Sequence, residues 1–227
     1  MTNFDKKQIA SYIDHTLLKA EADESAIRKL CEEAKQHGFY SVCVNGTWVP
    51  LCRELLQGTG VKIAVVCGFP LGANDSSVKA YEAAKAAEQG AEEIDMVLQI
   101  GLLKQGDFNA VREDIRAVVQ AVQGKAIVKV IFETGQLTDE QKIAACRLSE
   151  EAGAHFVKTS TGFGQGGATE DDIRLMRANV SAAIGVKASG GVRDFETAVK
   201  MIEAGATRLG TSSGVAIITG LQSSSSY

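Results

Sequence analysis

The feature that most constrains this chain is an alternation of short apolar runs and amphipathic stretches from one end to the other. The runs are YIDHTLL (12–18), YSVCVN (40–45), VKIAVVCGF (61–69), AEEIDMVL (91–98), AIVKVIFET (126–134), HFVKTST (155–161), IGVKASG (184–190) and TRLGTSS (207–213). Runs of this length, rich in β-branched residues and bounded by turn formers, read as buried strands. Between them, ADESAIRKLCEEAKQHG places Ile27, Leu30, Cys31 and Ala34 on one helical face and charges on the other. SSVKAYEAAKAAEQG, DFNAVREDIRAVVQAV, TDEQKIAACRLSEEAG, TEDDIRLMRANV and DFETAVKMIEAG read the same way, with Thr138, Thr169 and Asp194 in capping positions. Eight strand–helix units in 227 residues are the arithmetic of an α/β fold of the (β/α)8 TIM-barrel type, here with a short N-terminal helix. A doubly wound open sheet is the rival, but it would leave two or three units spare.

A weak internal repeat supports this parse. QHGFYSV, EQGAEEI, EAGAHFV and EAGATRL each set a glycine (Gly38, Gly90, Gly153, Gly205) between a helix and the next apolar run. A glycine there suits the left-handed end of a helix. No linker divides residues 1–220, which read as one barrel domain, and LQSSSSY (221–227) reads as a flexible C-terminal tail. No run approaches the roughly 20 apolar residues of a membrane span, and the N-terminus lacks the apolar stretch of a secretory signal. The 28 acidic and 24 basic residues argue against nucleic acid or an anionic membrane as partner. Five cysteines without CxxC spacing suggest reduced thiols in a cytoplasmic protein.

Charges appear where barrel strands should be apolar. Lys129, Lys158 and Lys187 each follow a valine and are spaced by 29 residues both times, which predicts matching positions on three consecutive strands. Asp14 and Asp95 supply acids in equivalent runs. An interior salt-bridge network is the plain structural explanation for any one lysine, but it weakens when several converge in one lumen. The chemistry such a cluster offers is amine nucleophilicity. A lysine near its reference pKa of about 10.4 is protonated at neutral pH and cannot attack a carbonyl. Burial and a neighbouring ammonium lower that pKa, and Lys158 and Lys187 on adjacent strands are expected to do this to each other. The free amine then forms a Schiff base with an aldehyde or ketone, while an aspartate moves protons through water. His15, His37 and His155 form no ligand-spaced set, so no metal site is expected.

Two glycine-rich turns follow the last two strands, SGGVRD (189–194) and GTSSGV (210–215), and each leads into a helix. Backbone N–H groups at such turns bind anions, and the loops after strands 7 and 8 are the usual phosphate site of these barrels. Ser212, Ser213 and Arg193 add donors and charge, and STGFGQGGAT (160–169) is a third donor-rich loop. The expected ligand is a small carbonyl compound carrying a phosphate.

Eight segments together resemble one known family. DHTLLK (14–19), SVCVN (41–45), CGFPLG (67–72), EIDMV (93–97), KVIFETG (129–135), VKTSTGF (157–163), GVKASGGVR (185–193) and GTSSG (210–214) resemble, in order, the bacterial deoxyribose-phosphate aldolases. The resemblance implies a class I aldolase that needs no cofactor and interconverts 2-deoxy-D-ribose 5-phosphate with glyceraldehyde 3-phosphate and acetaldehyde. It implies that Lys158 is the Schiff-base nucleophile, Lys187 the lysine that depresses its pKa, and Asp95 the proton relay. Lys129 and Asp14 resemble the residues that orient this network, with Cys43 bordering the pocket. Substrate would lie against Thr159, Gly162, Gly190, Gly191, Arg193, Gly210, Ser212 and Ser213. Some members carry a lysine after the TSTG glycine where this chain has Phe163, which removes a positive contact to phosphate. Some also end in a tyrosine that assists proton transfer, as Tyr227 would here; the alternative is a tail without a role. The family implies a homo-oligomer, dimer or tetramer, with small-molecule partners only. The alternatives are another Schiff-base sugar-phosphate aldolase or transaldolase, a non-catalytic sugar-phosphate-binding barrel, or a pyridoxal-phosphate enzyme, which would be yellow when pure.

Overall fold

The computed structural model describes residues 4–220. Eight parallel strands close into a barrel in chain order, with the last pairing back onto the first. They are β1 (Ile13–Thr16), β2 (Ser41–Val44), β3 (Lys62–Cys67), β4 (Glu93–Val97), β5 (Ile127–Ile131), β6 (Phe156–Lys158), β7 (Gly185–Ser189) and β8 (Arg208–Thr211). Every strand lies inside an apolar run of the sequence. A short helix α1 (Lys6–Ala10) precedes the barrel, and α2 (Glu24–His37), α3 (Val49–Leu56) and α4 (Ser76–Gln89) follow the first three strands. Helices α5 (Ile100–Gln105) and α6 (Phe108–Ala121) both follow β4; α7 (Asp139–Glu151), α8 (Glu170–Ala178), α9 (Phe195–Glu203) and α10 (Gly214–Thr219) complete the ring. Periodicity did not single out α3, whose first turn contains proline (Pro50), or the short, six-residue α5. The tail 221–227, with Tyr227, lies outside the described residues.

Local chemistry sets the boundaries. Thr138 and Gln141 form a reciprocal capping box at the start of α7, and Asp194 accepts from the Thr197 N–H at 2.8 Å to start α9. Each such cap stabilises its helix by about 1 kcal/mol. Gly38 ends α2 at φ 67°, a conformation that costs a side-chain-bearing residue about 1 kcal/mol or more.

Strand parity divides the core into two shells. Val42, Val128, Val130, Val157 and Val186 point outward and are fully buried against helix residues such as Ile27 and Ile115. Each contributes roughly 1.5–3 kcal/mol of burial. The alternate positions face the lumen, and there the polar residues gather. Lys158 and Lys187 stand side by side in the β6–β7 register, as spacing predicts. Lys129 does not match them. It registers with Phe156, two residues nearer the start of β6, and with Asp95 on β4. Equal spacing along the chain therefore misplaced one lysine, because the stagger between neighbouring strands differs from pair to pair.

Candidate active site

Among the described residues, the lumen holds seven charged side chains, all at most 4% exposed: Asp14, Glu93, Asp95, Lys129, Lys158, Lys187 and Arg208. Asp95 is the hub. Its Oδ2 accepts from Lys158 Nζ at 2.8 Å and from Lys187 Nζ at 2.8 Å, while Oδ1 accepts from Lys129 Nζ at 2.8 Å. Asp14 accepts a short hydrogen bond from Lys187, lies 3.3 Å from Lys129, and accepts from Arg208 at 2.9 Å and from the Ser41 hydroxyl at 2.7 Å. Glu93 sits 2.5 Å from Lys129 and 3.0 Å from Arg208. Arg208 lies over the Tyr40 ring, 3.4 Å from its centroid.

The number of carboxylates around each lysine decides its protonation. Among the described residues, Lys129 meets three and Lys187 two, whereas Lys158 meets only Asp95. Burial pushes all three amines down. At Lys129 the attraction of Asp14, Asp95 and Glu93 overturns this and holds the ammonium well above its ordinary value. At Lys187, Asp14 and Asp95 also outweigh burial and raise the pKa above its ordinary value. At Lys158 burial wins against Asp95, Lys187 adds to it, and the pKa falls. The mutual depression expected of the two lysines is thus one-sided, because Lys187 has two carboxylates and Lys158 one. Burial alone would raise Asp95 and Asp14, but the surrounding cations hold both below the usual carboxylate range.

The opposite wall is apolar. Cys43, Leu18, Ala64 and Val66 form a small inner cluster, with Phe69 against it. Burial, then Asp95, raises the Cys43 thiol, so it stays protonated and packs as a small apolar group. Gly210 clears space beside Lys187, since a Cβ there would come within 2.9 Å of Lys187 Cε.

The expected phosphate residues gather at the rim formed by the C-terminal strand ends. Gly162 follows β6 at φ 86°, and Gly190 and Gly191 follow β7. Thr211 ties the last two loops together, donating to the Val192 carbonyl at 2.7 Å and accepting from the Ser213 N–H at 2.9 Å. Ser213 is buried, Ser212 half-buried and Arg193 exposed on the rim. Thr159, expected at the substrate, is tied to the neighbouring strand. Its hydroxyl donates to the Ser189 carbonyl at 2.9 Å and accepts from the Ser189 N–H at 3.0 Å, so it stitches β6 to β7. Phe163 is 48% exposed and meets Phe69 edge-on at 5.3 Å.

Sequence reasoning missed Glu93 and Arg208. Both were detectable: Glu93 shares the inward parity of Asp95 two residues later, and Arg208 interrupts an apolar run as the lysines do. It also missed the fully buried Lys79–Asp114 pair between α4 and α6, 2.8 Å apart. Nothing in the alanine-rich α4 sequence marks that lysine. Among the described residues, no group of His, Cys, Asp and Glu is arranged to hold a metal, and no helix is long and apolar enough to cross a membrane.

A closed (β/α)8 barrel with a cation-rich cluster under glycine-lined strand ends defines a barrel enzyme of the lysine-bearing aldolase kind. The chain belongs to the DeoC/LacD family aldolases, whose family pattern matches residues 8–220. A deoxyribose-phosphate aldolase of Geobacillus sp. (strain WCH70) is 59% identical over 222 residues, covering 98% of this chain and 100% of that protein. One from Carboxydothermus hydrogenoformans is 59% identical over 223 residues, covering 97% and 98%. The solved deoxyribose phosphate aldolase of Aeropyrum pernix, described as a tetramer, superposes with a TM-score of 0.89 at 35% identity, covering 95% and 92%.

Proposed function

We propose that this chain is a class I aldolase that reversibly cleaves 2-deoxy-D-ribose 5-phosphate to D-glyceraldehyde 3-phosphate and acetaldehyde. The observation that carries this reading is Lys158, the cluster lysine with a single carboxylate partner and a lowered pKa. Its free amine attacks the C1 aldehyde of the open-chain sugar and forms a carbinolamine. Loss of water gives the iminium. Asp95, acting through water, removes the C3 hydroxyl proton; the C2–C3 bond breaks and its electrons flow into the iminium as an enamine. Glyceraldehyde 3-phosphate leaves. Protonation at C2, with Tyr227 as the candidate donor, and hydrolysis release acetaldehyde and restore the amine.

Lys187 keeps Lys158 deprotonated, while Lys129 and Asp14 hold Asp95 and Lys187 in place. The apolar wall of Cys43, Ala64 and Val66 suits the two-carbon fragment, and Gly162, Gly190, Gly191, Arg193, Gly210, Ser212 and Ser213 take the phosphate. Thr159 serves by fixing β6 against β7. This reading assigns residues 1–220 to the aldolase domain and 221–227 to a tail that delivers Tyr227. It needs no metal, so EDTA should leave turnover unchanged. Five buried thiols suit a reducing cytoplasm. Self-association as a dimer or tetramer is supported by the exposed Leu71, Val78 and Tyr81, and a strict monomer by light scattering would overturn it.

Borohydride trapping with acetaldehyde, followed by peptide mapping, tests the assignment. An ethyl group on Lys158 that is lost in Lys158→Ala is expected; modification of Lys187 or Lys129 instead would overturn it.

A further inference from the structure

Glu133 stands apart from every other residue the lumen chemistry does not use. It lies just beyond β5 at φ 58°, and it is the only non-glycine residue with positive φ among the described residues. A side chain in that region costs about 1 kcal/mol or more and persists where its surroundings enforce it. The side chain is 3% exposed, and no salt bridge among the described residues includes it. A buried carboxylate with no cation beside it must be held by hydrogen bonds.

Those bonds come from one neighbouring loop. Glu133 Oε2 accepts from the Thr161 N–H at 3.3 Å and, in a short bond, from the Thr161 hydroxyl. Thr161 Oγ1 in turn accepts from the Phe163 N–H at 3.0 Å. Gly164 closes over the carboxylate so tightly that a Cβ would lie 2.8 Å from Glu133 Cδ, and a Cβ on Gly135 would lie 2.3 Å from the Gln165 carbonyl oxygen. On the far side the same loop rests on the β7 turn, where the Ala168 N–H donates to the Gly190 carbonyl at 2.9 Å. The loop after the Lys158 strand is therefore pinned at both ends. Gly162 lies between the two pins, next to the residue that Glu133 grips.

We propose that Glu133 is a positioning residue that fixes the 161–164 turn, and with it the Gly162 amide, in the arrangement that receives the substrate phosphate. It touches neither the reacting carbons nor the lysines and acts through Thr161. The left-handed backbone aims its carboxylate back at the neighbouring loop. The inference rests on the assignment of Gly162 to the phosphate made under the proposed function.

The test compares wild type, Glu133→Gln and Glu133→Ala with 2-deoxyribose 5-phosphate and with unphosphorylated 2-deoxyribose. Loss of the clamp should raise KM for the phosphorylated sugar on the order of tenfold in Glu133→Ala, the scale of one charge-assisted hydrogen bond. Its kcat, and kcat/KM for the free sugar, should stay within about twofold. Glu133→Gln keeps an acceptor for Thr161 and should recover most of the affinity. The inhibition constant of inorganic phosphate should rise in parallel with KM. Equal losses on both sugars, or an unchanged phosphate KM, would overturn the proposal. Should Glu133→Ala fail to fold, Glu133→Gly, which relieves the left-handed strain, and Thr161→Val, which removes the gripped hydroxyl, must show the same selective loss. Wild type without any preference for the phosphorylated sugar would overturn the reading of the site itself. A wild-type preference that survives in the variants would overturn only the role of Glu133.

Discussion

Replacing Lys187 by methionine removes one charge from the lumen and little volume. Lys158 Nζ and Lys187 Nζ each lie 2.8 Å from the same oxygen, Asp95 Oδ2, so they are no more than about 5.6 Å apart. At an effective dielectric of about 20, two like charges at that separation repel by about 3 kcal/mol. At 1.36 kcal/mol per tenfold, this is on the order of 100-fold in the proton affinity of Lys158. Burial stays, but the loss of Lys187 also gives Asp95 one cation fewer, and Lys158 becomes its natural counter-ion. The acid limb of kcat/KM should move to higher pH by about two units. Turnover at pH 7 should fall up to about 100-fold and recover as the pH is raised. Asp14 keeps Lys129 and Arg208, so the fold should persist. The assay is a pH profile of kcat/KM alongside borohydride trapping of acetaldehyde at each pH. An unmoved acid limb, or a loss that alkaline pH does not relieve, would refute the claim that Lys187 acts through the protonation of Lys158.

Three further outcomes follow from the same geometry. Asp95→Asn removes the one carboxylate that opposes deprotonation of Lys158, so the acid limb should shift to lower pH while maximal kcat drops at least tenfold for want of a relay; a rise in kcat would contradict the relay. Asp14 and Asp95 are held below their ordinary values in the folded state, so the native protein binds these protons less readily than the unfolded chain does. Their contribution is present above the unfolded carboxylate pKa of about 4 and is lost as pH falls below it, so Tm should decline there, and a flat Tm between about pH 5 and 2 would argue against it. Lys79→Met strands Asp114 inside the α4–α6 contact and should cost about 3–5 kcal/mol in urea unfolding, part of it recovered by adding Asp114→Leu; a cost under 1 kcal/mol would mean that water reaches the pair.

Much of this architecture was legible in the sequence because the barrel repeats one physical unit. Alternating burial writes period two into the strands and 3.6 into the helices, and capping residues such as Thr138 mark the junctions. The lumen lysines were legible for the opposite reason: charge inside an apolar run such as IVKVIF violates the pattern, and violations of that kind concentrate at functional sites. What could not be read was geometry between strands. The register that pairs Lys158 with Lys187 and sets Lys129 two residues lower depends on barrel stagger, which has no signature along the chain. The division of the lysines into one lowered and two raised amines depends in turn on that register. Glu133 was invisible as well, since nothing in FETG announces a left-handed glutamate.

The charge inventory of the lumen explains why such a costly interior suits this chemistry. Four cations face three carboxylates among the described residues, so full protonation leaves one excess positive charge in a buried space. Removing a proton is the least costly relief, and it falls on the amine with the fewest acidic neighbours, Lys158. Lys158 is accordingly the one lysine of this cluster whose pKa lies below its ordinary value. In the proposed mechanism the same field works against the iminium, because condensation returns a positive charge to that nitrogen. Asp95, 2.8 Å away, limits this penalty, and enamine formation removes it altogether. On the mechanism proposed above, carbon–carbon cleavage discharges this excess charge, so the cluster would favour the electron flow of the bond-breaking step. A symmetric set, with as many carboxylates as cations, would remove this electrostatic pressure on the Lys158 ammonium.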